Sequence, residues 1–202
     1  MQCFSFTMPR TAHYYSLGAP GLGIEHLWVC LHGHDQPVAG LAAQLVNLDT
    51  PERLLILPEA LSRHARPETP DRVADALGVW FAPHSVDDDL ADVTTYLDGL
   101  TDAIRARCPA GTPVTVLGYG PGAAAAMGWL AENHLVFERL ILYAAVLPPE
   151  IDRRAGAVFG LARAAGRGSR HHHRRLLARS RRSRLGAGPA RCRPNRPPQL
   201  RR

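Results

Sequence analysis

Val114-Thr115-Val116-Leu117-Gly118-Tyr119-Gly120-Pro121-Gly122-Ala123 joins a short apolar run to a knot of three glycines and a proline. Small and apolar residues then continue from Ala123 to Leu130. Four apolar or β-branched residues bounded by turn signals predict a buried strand, and the run that follows the turn predicts a helix. The flanking glycines, Gly118 and Gly122, let the chain turn sharply and let the helix pack close to the strand, with Gly120 at the centre. Taken alone, Gly-x-Gly-x-Gly at a helix N-terminus could also cradle an anion on exposed backbone N–H groups. The run is not a full dinucleotide fingerprint, however, and the first strand of the chain carries no such loop.

Upstream, Leu27-Trp28-Val29-Cys30-Leu31 reads as a buried parallel strand that ends in the turn His32-Gly33-His34. Pro37 can open a helix through Leu41, Ala42, Leu45 and Val46, and Leu54-Leu55-Ile56-Leu57 predicts a second strand that stops at Pro58. Residues 59–84 show no period and predict a long excursion, with Val79-Trp80-Phe81 as its one apolar anchor. Ser85 and Asp88 match a capping box, and Leu90, Val93, Leu97, Leu100 and Ile104 recur at helical spacing until Cys108-Pro109 ends the helix. Downstream, Leu140-Ile141-Leu142-Tyr143 predicts a fourth strand, and Tyr14-Tyr15-Ser16-Leu17 an added edge strand. Strands alternating with helices imply right-handed crossovers and a parallel sheet covered on both faces.

Composition divides the chain. Residues 1–150 hold eight arginines against seventeen acids, a net −9, while residues 151–202 hold sixteen arginines against one acid, a net +15. The overall charge of +6 therefore averages two unlike pieces. Arg-rich runs around His171-His172-His173, with Leu176-Leu177 as the only adjacent leucines, cannot bury enough surface to offset an ordering cost of roughly 1–2 kcal/mol per residue. The expectation is a folded domain over 1–152 and a disordered, Arg-rich tail over 153–202. Four cysteines without a CxxC pair indicate neither a disulfide framework nor a zinc knuckle. No apolar run reaches signal-peptide or membrane-spanning length, so the expected compartment is the cytoplasm.

The landmarks Leu31-His32-Gly33-His34-Asp35-Gln36, then Leu57-Pro58-Glu59-Ala60-Leu61-Ser62-Arg63, then Val116-Leu117-Gly118-Tyr119-Gly120-Pro121-Gly122-Ala123 resemble, in order and spacing, those of small serine esterases of the phospholipase/carboxylesterase group of α/β-hydrolases. Leu140 to Tyr143, followed by Val146-Leu147-Pro148-Pro149, is similar to the strand after the nucleophile elbow in those proteins. The resemblance spans residues 12–152. It implies an α/β-hydrolase sheet, here truncated after the strand that follows the elbow, and ester substrates. It also implies that Gly120 stands where the family has its nucleophilic serine. The turn His32-Gly33-His34 would lend one oxyanion-hole N–H, and Pro121 would stand at the second.

Each implied role meets a chemical obstacle. Gly120 has no side chain, so no acyl-enzyme can form on it. Pro121 has no backbone N–H, which removes an oxyanion donor. The family's acid and histidine follow the elbow in chain order, but after Asp152 this chain has no acid, and its only histidines are His171, His172 and His173. The elbow Gly118, Tyr119, Gly120, Pro121 and Gly122 thus reads as degenerate, and no catalytic set is intact. The sheet would also end with Leu140-Ile141-Leu142 near an unpaired edge.

Other readings carry less chemistry. His32, His34 and Asp35 could ligate zinc, but the spacing departs from the metallohydrolase pattern, and a plain turn with partly exposed histidines is expected instead; neither metal nor cofactor is implied. Cys30 and Cys108 read as buried structural thiols. Asp87-Asp88-Asp89 answers the helix dipole. Trp80 and Phe81 would line an acyl pocket by resemblance, or equally anchor a long loop. Two functional readings follow: a degenerate hydrolase whose tail is the continuation of its gene in the wrong frame, and a non-catalytic module whose tail holds nucleic acid or an anionic surface.

Overall fold

Six residues of β2, His26–Leu31, form the middle of the sheet because every second one is apolar on each face and the last three are fully enclosed. The computed structural model describes residues 2, 4, 6–66, 76–82, 84–132, 135–154 and 156. Around β2 lie β1 (Tyr14–Leu17), β3 (Arg53–Pro58), β6 (Val114–Tyr119) and β7 (Arg139–Tyr143), in the order β1-β3-β2-β6-β7. The last four are mutually parallel, and β1 runs antiparallel to β3 as the edge strand the sequence suggested. Among the described residues the sheet ends at β7, the strand after the Gly118–Gly122 turn.

Helix α1 (Val38–Leu45) covers one face, where Val38 and Leu41 pack with Cys30, Leu55 and Leu57. Helices α2 (Val86–Arg105) and α3 (Pro121–Glu132) cover the other. Every residue of α3 from Gly122 to Leu130 is buried, as expected of a helix that is apolar all round. Its indole Trp129 Nε1 donates to Asp98 Oδ1 of α2 at 2.6 Å, which satisfies the one polar group that Trp129 brings inside.

Three expectations need correction. Within the excursion read over residues 59–84, β4 (Ser62–His64) and β5 (Leu77–Val79) pair as an antiparallel ribbon, formed at a distance in sequence that periodicity cannot report. The start of α2 is closed by Asp89 rather than by a Ser85–Asp88 capping box, because Asp89 Oδ2, one turn into the helix, accepts from Ser85 Oγ at 2.8 Å and from the Ala82 N–H at 2.7 Å. Helix α2 also stops at Arg105, and tighter turn bonds carry the chain on to Cys108.

Compositional reasoning places the domain boundary after Asp152, yet a helical turn continues through residue 154. Ile151 is fully buried, and Arg154 pairs with Asp87 and Glu132 at 3.3 Å each. Acids of α2 and α3 thus meet Arg154, while Arg153 Nε donates to the Pro149 carbonyl at 3.1 Å. The expected disorder of the rest of 153–202, including His171 to His173, lies outside the described residues. No described helix is long and apolar enough to cross a membrane.

Candidate functional site

Connections leave β2 and β6 in opposite directions: α1 leads from β2 to β3 on one face, and α3 leads from β6 to β7 on the other. Where strand order reverses, the carboxyl ends of the two strands open a crevice. The turn His32-Gly33-His34 after β2 and the turn at Gly120 after β6 therefore meet at the natural ligand site of such a sheet.

The elbow's glycines differ in what they do. A Cβ at Gly118 would stand 2.5 Å from the Cα of Ala123, and one at Gly122 would strike the carbonyls of Leu31 and His32. Both are backbone obstacles, so these two positions admit glycine alone. Gly120 is different: its Cβ would meet nothing nearer than the Cα of Gly33 at 3.8 Å. Its φ of +55° lies in the left-handed region that side-chain-bearing residues rarely adopt. The turn is held by Gly120 N–H donating to the Tyr143 carbonyl at 2.9 Å and Ala123 N–H donating to the Gly120 carbonyl at 3.0 Å. This is a sharp strand-to-helix elbow with open space at its apex and no reactive atom there.

Pro121 is the first residue of α3, and its missing N–H costs the helix nothing at that position. The opposite turn is also committed. Gly33 N–H donates to Gln36 Oε1 at 2.7 Å, and the Tyr119 ring lies where a Cβ on Gly33 would be, 2.5 Å from Cδ1. Tyr119 stacks in turn on Tyr143 with centroids 5.4 Å apart.

His32 departs from the expected half-exposed turn residue: it is fully buried. The Ala60 N–H donates to Nε2 at 3.1 Å, and Nδ1 lies 2.8 Å from the Gly33 carbonyl. A backbone N–H can only donate and a carbonyl can only accept, so the ring is the neutral Nδ1–H tautomer. Burial holds its pKa below the ordinary 6.5, against opposing contributions from the Gly33 carbonyl and Glu59. Trp80 Nε1 donates to the His32 carbonyl at 2.9 Å, and the two rings lie 4.9 Å apart. Gly78 of β5 leaves the room that this imidazole fills. Trp80 is thus buried in the core beside His32, and Phe81 packs half-buried against the same core.

Both His32 nitrogens are used, so the zinc reading of His32, His34 and Asp35 lacks a ligand. His34 faces outward, 3.1 Å from Asp35, and His64 of β4 lies 3.6 Å from the other Asp35 oxygen. Among the described residues no group of three or more His, Cys, Asp or Glu side chains is arranged to hold a metal ion. Cys30 and Cys108 are buried, and burial pushes the Cys30 thiol far up. The pair of buried Glu59 with exposed Arg63, at 2.6 Å, has as its only signal in the sequence the four-residue spacing beside Pro58.

No family model matches the chain, and no curated protein matches its sequence. Solved structures do match. A phospholipase/carboxylesterase from Dyadobacter fermentans superposes with a TM-score of 0.51 at 14% identity, over 70% of this chain and 63% of its own. Esterase PE8 gives 0.51 at 18% identity, over 68% and 66% respectively. Acyl-protein thioesterase 2 from Zea mays gives 0.50 at 19%, over 77% and 72%. This chain thus spans somewhat less than two thirds of the first two. These likenesses establish the α/β-hydrolase fold, with its mostly parallel sheet.

Proposed function

We propose that this α/β-hydrolase-fold chain is a catalytically degenerate descendant of serine esterases or phospholipases, whose lineage acted on esters. One observation carries the reading: the elbow keeps its left-handed apex at Gly120 and the space for a side chain, 3.8 Å from the nearest atom, but holds no side chain. An elbow in which all three glycines were needed for packing would be a plain turn. Here only the flanking two are needed.

The surroundings agree. Pro121 brings no N–H, so the second implied oxyanion donor is absent, and in the turn His32-Gly33-His34 the Gly33 N–H is spent on Gln36 Oε1 at 2.7 Å. Buried His32 is oriented away from proton transfer by bonds on both ring nitrogens. The test is hydrolysis of an activated short-chain aryl ester by the natural chain, by Gly120→Ser, and by Gly120→Ser with Pro121→Gln. All three should match the buffer rate, because members of a triad act as a unit and restoring one gains little. Turnover by the natural chain that vanishes on His32→Ala or Cys30→Ala would overturn the reading.

The basic stretch after Asp152 favours a second role, contact with nucleic acid or another anionic surface. Its sixteen arginines against one acid in residues 151–202 are the observation behind it.

A further inference from the structure

One imidazole ties the β4–β5 ribbon to the turn after β2 from several sides. Ala60, just before β4, donates its N–H to His32 Nε2 at 3.1 Å. Trp80, just after β5, donates its indole N–H to the His32 carbonyl at 2.9 Å, with the two rings 4.9 Å apart. Within β5, the ring lies so close to Gly78 that a Cβ there would overlap it. The turn itself holds the remaining side, since Nδ1–H donates to the Gly33 carbonyl at 2.8 Å.

Such a ring takes up a proton only by giving up a partner. Nε2 is its one basic atom, and the lone pair there already receives the Ala60 N–H. A proton on Nε2 sets N–H against N–H, leaves both without an acceptor, and puts a charge in a fully buried position. Among the described residues the acid that bears on the ring is Glu59, and its carboxylate is held by Arg63 of β4 at 2.6 Å. Asp35 lies on the same turn, 3.1 Å from His34 and 3.6 Å from His64 of β4, and all three side chains are exposed. Exposed pairs of that kind hold β4 weakly and do not offset the loss inside. His84, beyond β5, is exposed.

We infer that His32 is an acid-released latch: protonation of Nε2 frees Ala60 and Trp80 and detaches the β4–β5 ribbon from the turn after β2, while the central sheet stays closed. The sheet is spared because β2 is joined to β3 and β6 by main-chain groups, which do not titrate. The turn that the ribbon leaves faces Gly120 across the crevice, so acid remodels one wall of the candidate site, whatever chemistry the elbow supports. Opening takes up one proton. The freed ring has the ordinary histidine value near about pH 6.5, and burial keeps the closed ring below it. Between the two values the opening constant therefore rises by about tenfold for each unit that the pH falls.

Hydrogen exchange of the full chain tests it, followed by heteronuclear NMR from neutral to mildly acidic pH and corrected for intrinsic exchange rates. Protection of the Ala60 amide and of the Trp80 indole N–H should fall together, by about tenfold per pH unit below about pH 6.5. The Trp129 indole N–H, which Asp98 holds between α2 and α3, should keep its protection and so serves as the measure of global opening. His32→Gln should abolish the dependence at both positions, whereas a chain carrying His34→Gln, His64→Gln and His84→Gln together should retain it. If His32→Gln does not fold, the contrast between Trp80 and Trp129 in that triple variant decides the matter. Protection at Ala60 and Trp80 that ignores pH, a parallel loss at Trp129, a dependence that survives His32→Gln, or one that vanishes with the three outer histidines would each overturn the proposal.

Discussion

At the scale of single residues, three glycines that look alike in the sequence separate into two kinds. Gly118 and Gly122 are hemmed by backbone, so Gly118→Ala and Gly122→Ala should each lower stability by about 3 kcal/mol in urea denaturation, the upper part of the range for overpacking. Gly120→Ala has room and meets only the left-handed backbone, a cost of about 1–2 kcal/mol. Equal losses at all three positions would show that the apex is packed after all. His32 gives a second residue-scale expectation. Its folded-state pKa lies below the ordinary 6.5 because of burial, so the unfolded chain binds more protons as pH falls. The stability it contributes is complete above about pH 6.5, the unfolded histidine value, and is lost as pH drops below that. His32→Gln should flatten this dependence between neutral and mildly acidic pH; an unchanged slope would mean that other histidines carry it.

At the scale of elements, the β4–β5 ribbon is tied to the turn after β2 by a few polar contacts and one indole. Ala60 N–H holds the His32 ring, and Trp80 Nε1 holds the His32 carbonyl. Trp80→Phe keeps most of the packing but leaves a buried carbonyl short of a donor, and should cost about 1–3 kcal/mol. Trp80→Ala opens a cavity and should cost about 3–5 kcal/mol. Both are measured by denaturant titration followed at residues of the ribbon, and a null effect of Trp80→Ala would remove the ribbon from the core. The ribbon also marks where sequence legibility fails. Every β-strand of the central sheet was readable from a local apolar run, and α2 from its spacing, but β4 and β5 are three residues each and lie far apart in the chain. Only their pairing makes them strands.

At the scale of the whole molecule, a helical turn over 149–154 runs across the point where the composition changes. Ile151 is sealed against the core beside Gly128, and Ile151→Ala should cost about 2–5 kcal/mol, as for a large-to-small change in a core. If it proves neutral, the helical turn over 149–154 is peripheral and the boundary moves back before it. The frame-shift origin proposed for the basic stretch has a direct check: translation of the same DNA in the other two frames should yield, in one of them, an apolar strand, an Asp-bearing turn and a Gly-His pair. Failure in both frames rejects it. Binding by the same stretch should weaken steeply with added salt, since each neutralised phosphate releases counterions; a salt-insensitive interaction would place the contact elsewhere.

From the residues alone came the parallel sheet, the elbow after Val114 to Leu117, the absence of a side chain at Gly120 and of an N–H at Pro121, because covalent structure and local period suffice for each. Tertiary structure decided what lies beside what. It made His32 a buried, doubly bonded imidazole instead of an exposed turn residue, gave the Gly33 N–H to Gln36, turned Trp80 into an anchor, and separated the apex glycine that packing could spare from the two it could not. The contacts of His32 with Ala60 and Trp80, and of Gly122 with Leu31, join segments tens of residues apart, and neither composition nor periodicity contains such distances; the Gly33–Gln36 bond and the Gly118–Ala123 contact are local, and depend instead on how a turn and a side chain are set.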